Sequence, residues 1–467
     1  MAAASIGSPG LLFTDVKLSI IQPLHKTEHV EVIDPTFLDS KRQDGYFPIM
    51  VAFRLGDKAD AVYPQHVKKV KDSLQEVLIS FFSYAGRWIA DPKDSSKRKL
   101  LCNDKGVPII EAYVDDDLDS VMEVFAGFQP VPELQGYQFL GLDVTQFQQQ
   151  MLPDGLPCIF LQITRFKCGG LVLALTFNHQ LTDGLGFVKF LTAWFDIAQT
   201  NETTIEVDHN RAQIDKVLAT PPPISDAAST NGVRSPKMRT WAMKAFEVSA
   251  STINSIKLEV PDIKEHGGGY VSTVDCIAAH MWRSLVGLPS SILGGKEVAV
   301  VNTVEGRARF YDTPLSSVCA NVLSYMVPPK IPSNELRKMP LASIASKLRE
   351  TFQTTRREEW LGLERLETFA NNEFAAIQIT SWLKFPLYEF DFGWGKPVLC
   401  SLNTFMSSSG RLGKVYVLPP YPNSSSSAAT VQIWSTPEVL NAMEGNPLFL
   451  ELFLGQHKRK QGISSKL

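Results

Sequence analysis

The stretch from Asn201 to Ser235 constrains the fold of this 467-residue chain most. It contains Pro221-Pro222-Pro223 and Ser225-Asp-Ala-Ala-Ser-Thr-Asn-Gly232, and it has little apolar periodicity. Structureless segments of that length are uncommon inside one compact unit, so it reads as a crossover. The chain is also too long for one ordinary core at about 100–200 residues per domain. The expected organisation is an N-terminal domain at 1–200, a crossover at 201–235, a C-terminal domain at 236–455 and a short basic tail at 456–467.

Each half mixes helical and strand-like periodicity. After Pro64, residues Val67, Val70, Leu74, Val77, Leu78 and Phe81 recur at helical spacing up to Gly86. Cys158–Phe166 alternates like a strand, Gly169-Gly170 can turn it, and Leu171–Phe177 is an apolar, β-rich run. Gly184–Gln199 returns to helical spacing. In the second half, 274–284 and 341–358 read as helices, and 297–304 and 375–382 as strands. The pattern predicts an α/β fold: a two-layer sandwich in duplicate, each copy a mixed β-sheet with flanking helices and the site between them.

Composition narrows the function classes. Lys and Arg total 46 against 49 Asp and Glu, a balance unlike that of a protein built to track phosphate backbones. No apolar run reaches membrane-spanning length, and Met1–Pro9 lacks the basic start and apolar core of a secretory signal. The six cysteines form no C-x-x-C pair and read as buried thiols in a reducing compartment. With no H-E-x-x-H, G-x-S-x-G or G-x-x-x-x-G-K motif, a metal site, a serine nucleophile elbow and a phosphate loop have no support.

Two motifs stand out. Asn178-His179-Gln180-Leu181-Thr182-Asp183-Gly184 lies between an apolar strand and an amphipathic helix. A histidine at such a strand end is rigidly held yet reachable, and a neutral imidazole takes a proton near neutral pH. Asp183 could fix the loop or orient the ring. Asp391-Phe392-Gly393-Trp394-Gly395-Lys396-Pro397 has the composition of a tight, shaped turn. His25, His29, His66, His209, His266 and His457 lie in polar surroundings and are expected at the surface.

H-x-x-x-D-G some two hundred residues before D-F-G-W-G-K-P resembles the signature pair of the plant BAHD acyl-CoA-dependent acyltransferases. Tyr84-Ala-Gly-Arg-Trp88, Cys102-Asn103 with Gly106-Val107, 272–283 ending A-A-H-M-W-R, Glu305-Gly-Arg-Ala-Arg309 and Thr380-Ser-Trp382 resemble further family elements in order, over about residues 15–455. The resemblance implies two chloramphenicol-acetyltransferase-like domains with an active-site channel at their interface. It implies acyl-CoA as co-substrate, no permanently bound cofactor, a small alcohol or amine acceptor and a monomer. His179 would act as general base. Asp183 would pair with Arg307, Trp382 would donate its indole N–H, and Thr380 would line the same region. Asp391, Gly393, Trp394 and Gly395 would shape the CoA side away from the histidine, and Ser272 and Thr273 would neighbour the CoA phosphates. The chain departs from the family in reading Val318-Cys-Ala-Asn321 where Y-F-G-N is frequent, and Glu305 where aspartate is usual. Where shikimate-using members carry an arginine, ungapped counting lands on Glu367, which would repel an anionic acceptor. Neutral alcohols or amines therefore rank first, with an aromatic, hydroxycinnamoyl- or benzoyl-type donor. Two other readings remain open. One is a degenerate member that binds a ligand or partner without turnover. The other is a condensation domain, against which D-F-G-W-G and the absence of a carrier domain weigh.

The sequence closes on Ser465-Lys466-Leu467, the address read by the peroxisomal import receptor, after the basic His457-Lys-Arg-Lys460. Peroxisomal localisation is expected, with a cytoplasmic enzyme as the alternative.

Overall fold

A computed structural model describes residues 13–27, 31–40, 45–55, 59–119, 122, 154–217, 242–260, 270–309, 315–356, 359–360, 374–402 and 411–453. Glu367, Ser465, Lys466, Leu467 and most of the expected crossover lie outside the described residues.

Three sheets organise these residues. The first has six strands in the order β1-β6-β8-β9-β3-β14: Phe13–Ile21, Val107–Val114, Ile159–Phe166, Leu171–Asn178, Tyr46–Phe53 and Leu399–Leu402. The second has the order β10-β16-β15-β13-β11-β12: Ala242–Ser249, Ser427–Ser435, Arg411–Leu418, Ala375–Ser381, Val298–Glu305 and Leu323–Met326. Both are mixed, with β6–β8, β11–β13 and β13–β15 parallel and the remaining pairs antiparallel. A small third sheet joins β2, β5, β4 and β7 (Glu31–Ile33, Asp94–Cys102, Arg87–Asp91 and Leu156–Pro157). Its outer strands β2 and β7, of three and two residues, are too short to carry a periodicity that the sequence could show.

Among the described residues, six helices of eight residues or more cover these sheets: α1 Ala59–Ser80, α2 Gly184–Thr200, α3 Ala250–Leu258, α4 Thr273–Leu285, α5 Leu341–Thr354 and α6 Pro437–Glu444. α1 begins before Pro64 and takes that proline into its second turn, forfeiting one backbone hydrogen bond. α5 stops at Thr354, four residues short of the periodicity. Phe47, Ile49, Val51 and Phe53, alternate residues of β3, share one core with Leu74, Val77, Phe187, Phe190 and Trp194 of α1 and α2. A second core joins Ile277, Ala278 and Trp282 of α4 to Ile344 and Leu348 of α5 and to Val300, Ile377 and Val415 of the second sheet.

β14 comes from the second half of the chain yet hydrogen-bonds to β3 at the edge of the first sheet. Side chains of the second sheet stitch it from the other side. Gln432 accepts from the Leu402 N–H at 3.0 Å and donates to Ser401 Oγ at 2.9 Å, and Trp434 Nε1 donates to the Leu402 carbonyl at 3.1 Å. All six thiols are free; five are buried and Cys168 is exposed.

Candidate active site

His179 follows β9 directly, and the main chain pins it from both halves of the molecule. Its N–H donates to the Gly45 carbonyl at 3.0 Å, and its carbonyl accepts from Asn321 Nδ2 at 2.8 Å. Asn178 Oδ1 accepts the Gln180 N–H at 2.9 Å, which turns the chain out of the strand. The half-buried imidazole meets Phe47 edge-on at 5.9 Å between centroids.

Asp183 is the N-cap of α2 and fully buried. Arg307 grips both of its oxygens, at 2.8 and 3.2 Å, and the N–H groups of Gly186 and Val322 donate at 3.0 and 2.9 Å. Burial pushes this carboxyl up, but the Arg307 guanidinium and the two N–H donors outweigh it and hold the group below the usual carboxylate range. Arg307 also donates to the carbonyls of Val318 and Ala320 and to Glu305 Oε1. A second buried pair lies beside the first: Arg211 Nη1 donates to Asp39 Oδ2 at 2.8 Å, and Arg211 Nη2 to the Leu181 carbonyl at 2.7 Å. Asp39 Oδ1 accepts from both nitrogens of Asn321 at 2.8 Å. The 318–322 segment therefore lies along the histidine loop and is tied to it by both pairs.

Trp382 is 4% exposed and stacks on Phe47 at 5.9 Å, so Phe47 touches both the histidine and the indole. A Cβ on Gly184 would lie 2.9–3.0 Å from the Trp382 ring, so glycine there permits this approach. Thr380 Oγ1 lies 2.9 Å from Thr303 Oγ1, which accepts from Gln378 Nε2 at 2.9 Å. The structure thus brings His179, Asp183, Arg307, Trp382 and Thr380 into one neighbourhood.

The other expected residues lie elsewhere. Ser272 caps α4 in a reciprocal capping box with Asp275, Arg349 pairs with Asp275, and Thr273 Oγ1 accepts from Lys257 Nζ at 3.1 Å. The anion at this helix start is the protein's own Asp275. Asp391 Oδ1 accepts the N–H groups of Gly393, Trp394 and Gly395 at 2.6, 3.0 and 3.0 Å. Gly393 and Gly395 adopt φ of 91° and 118°, values that favour glycine. Phe392 and Trp394 pack on Trp194 and Phe53, at the end of β3 opposite Phe47, roughly 20 Å along the strand. His66 packs on Trp394 and His209 on Phe82; both are half-buried rather than surface residues, because their rings cover apolar neighbours. A groove of about 1120 Å³ lined by Glu31, Phe82, His209 and Arg211 does not include His179.

Sequence reasoning missed Phe47, Asp39 and Arg211. Arg211 sits in the stretch read as linker, and no local pattern marks any of the three. Asn321 had a signal: it is retained at the end of the V-C-A-N variant.

A two-domain α/β fold with a histidine–aspartate loop wedged between its halves is the chloramphenicol-acetyltransferase-like architecture. Solved structures agree in fold: vinorine synthase superposes with a TM-score of 0.68 at 18% identity, covering 95% of this chain and 98% of that one. F. graminearum TRI101 complexed with coenzyme A and T-2 mycotoxin gives 0.68 at 16% identity, covering 90% and 99%. The model of the Transferase family matches residues 20–444, and the chain belongs to that family, the BAHD acyltransferases. Similar relatives include shikimate O-hydroxycinnamoyltransferase of Nicotiana tabacum, 25% identical over 78% of this chain and 84% of the relative. Agmatine coumaroyltransferase-1 of Hordeum vulgare is 26% identical over 87% and 91%.

Proposed function

We propose that the protein moves an aromatic acyl group, of hydroxycinnamoyl or benzoyl type, from coenzyme A to a hydroxyl or amine of a small acceptor. The observation that carries this reading is the state of Asp183. Its oxygens are consumed by Arg307, Gly186 and Val322, so it is a positioning residue. The half-buried His179 is then the proton acceptor at this loop. In the reaction, His179 takes the proton from the acceptor O–H or N–H as that atom attacks the thioester carbonyl. The Trp382 indole N–H faces the developing oxyanion. Collapse of the tetrahedral species breaks the C–S bond, and the imidazolium returns its proton to the leaving thiolate. No acyl-enzyme is required, because holding both substrates together at this loop supplies much of the rate. The names of the relatives support the acyl class and both acceptor types, and the CoA-bound fold neighbours support the donor.

The test is thiol release from a panel of aromatic acyl-CoAs and acceptors. His179→Ala is expected to lower turnover about 10²–10⁴-fold while leaving the melting temperature close to wild type. Silence from both proteins across the panel would instead favour a ligand-binding module. We also propose peroxisomal import of the monomer through Ser465-Lys466-Leu467; a fluorescent protein fused ahead of this tripeptide should become punctate, and a diffuse signal counts against it.

A further inference from the structure

Three consecutive carbonyl groups of the histidine loop are held by one buried carboxylate acting through two intermediaries. The His179 carbonyl accepts from Asn321 Nδ2 at 2.8 Å. The Gln180 and Leu181 carbonyls accept from Arg211 at 3.4 and 2.7 Å. Asn321 and Arg211 both bind Asp39. Its Oδ1 accepts the Asn321 N–H and Nδ2, each at 2.8 Å. Its Oδ2 accepts Arg211 Nη1 at 2.8 Å and the Thr36 N–H at 2.9 Å. All three side chains are buried. The Asn321 amide has only one workable orientation, because reversing it would set its oxygen against both a carboxylate and a carbonyl.

These residues come from three distant stretches of chain: the helical turn Phe37–Ser40, the stretch read as a crossover and the 318–322 segment. The last two run side by side, with the Asp208 N–H on the Ser317 carbonyl and the Cys319 N–H on the Asp208 carbonyl, both at 2.8 Å. Asp39 is thus the point where both halves and their connection reach the backbone of His179. A buried ion pair adds little net stability over apolar residues of the same volume, so its gain at this place is geometric. With its N–H on the Gly45 carbonyl and its own carbonyl on Asn321, His179 is fixed on both sides of its Cα, which sets where the ring starts. In a reaction that depends on holding groups in line, a misplacement of about 1 Å costs about 10²-fold in rate.

We infer that Asp39 is a positioning residue for the base: through Asn321 and Arg211 it sets the place of the His179 imidazole against the bound substrates. The inference rests on the acyl-transfer reading, in which His179 takes the proton; Asp39 takes none. The task differs from that of Asp183, whose partner Arg307 holds the carbonyls of Val318 and Ala320 instead.

The test uses the full-length protein with the donor and acceptor that give the fastest thiol release in the panel above. Asn321→Ala removes the amide and leaves the Asp39–Arg211 pair in place. It should lower kcat about 10–100-fold, with both KM values within about twofold of wild type. Asp39→Asn should lower kcat further; if that protein fails to fold, Asn321→Ala decides alone. In a His179→Ala background, Asn321→Ala should cost the residual rate no more than about twofold, because the group being positioned is gone. A merely structural role would multiply the two losses and raise KM, and that result overturns the inference. A second readout needs no turnover. The His179 ring signal in NMR spectra of histidine-labelled protein, assigned by its loss in His179→Ala, should shift or split in Asn321→Ala. A kcat within about twofold of wild type, or an unmoved ring signal, overturns the inference and leaves the transfer reading intact. If the wild type transfers nothing, the transfer reading falls and the ring signal alone decides: a shift supports the positioning role, and an unmoved signal removes it.

Discussion

The two signature loops each use an aspartate to collect backbone N–H groups, yet they occupy opposite ends of the same elements. Asp183 caps the start of α2 close to Phe47 at one end of β3. Asp391 receives its carbonyl contact from Gln199 near the far end of α2, and its loop packs on Phe53 at the other end of β3. Asp183 is fully buried and paired with Arg307 across the two halves; Asp391 is half-exposed and bonds within its own turn. Local hydrogen bonding makes a turn in both cases. Burial and a counter-charge from the other half of the chain turn one of them into part of a reaction site.

Removing the acid should separate the loops most sharply. Asp183→Ala leaves a buried Arg307 charge without its partner and is expected to cost about 3–5 kcal/mol in denaturant titration, with activity lost. Replacing both partners by Leu and Met should cost less than the single change; equal costs would argue against charge pairing as the cause. The carboxyl is held below its ordinary 3.8, so its stabilising contribution is complete above that value and disappears as pH falls through the lower folded value. Asp183→Asn should therefore flatten the acid limb of the stability curve.

Burial without a counter-charge has a different pH signature. His280 on α4 is 1% exposed, and burial lowers its pKa to about 4 from 6.5. Its contribution is full above 6.5 and declines as pH falls toward 4, an expected loss of about 3 kcal/mol that His280→Gln should remove. Stability independent of pH across that window in the wild type would refute the assignment.

Gly184→Ala forces a Cβ against the Trp382 indole and should cost about 1–3 kcal/mol, with kcat falling more than KM rises if the indole serves the oxyanion. Smallest is Asp391→Ala, expected to cost about 0.5–2 kcal/mol with little change in kcat. A cost matching that of Asp183→Ala would erase the contrast between the loops.

Much of this was readable beforehand because it is local. The apolar run at 171–177, the loop and the amphipathic pattern from Gly184 became β9, the Asp183 cap and α2 almost residue for residue. Arg307 as the partner of Asp183 came only through the family resemblance, since 124 residues separate the two and no spacing rule links them.

By itself, the sequence determined the α/β elements, the histidine–aspartate loop and the acyltransferase family, because periodicity, capping and contiguous motifs act over a few residues. The tertiary structure decided the insertion of β14 into the first sheet, the Asp39–Arg211 pair and the reach of Asn321 to Asp39 across 282 residues. Each of these depends on which distant strands meet, and that is fixed by burying two cores together rather than by any local preference of the chain.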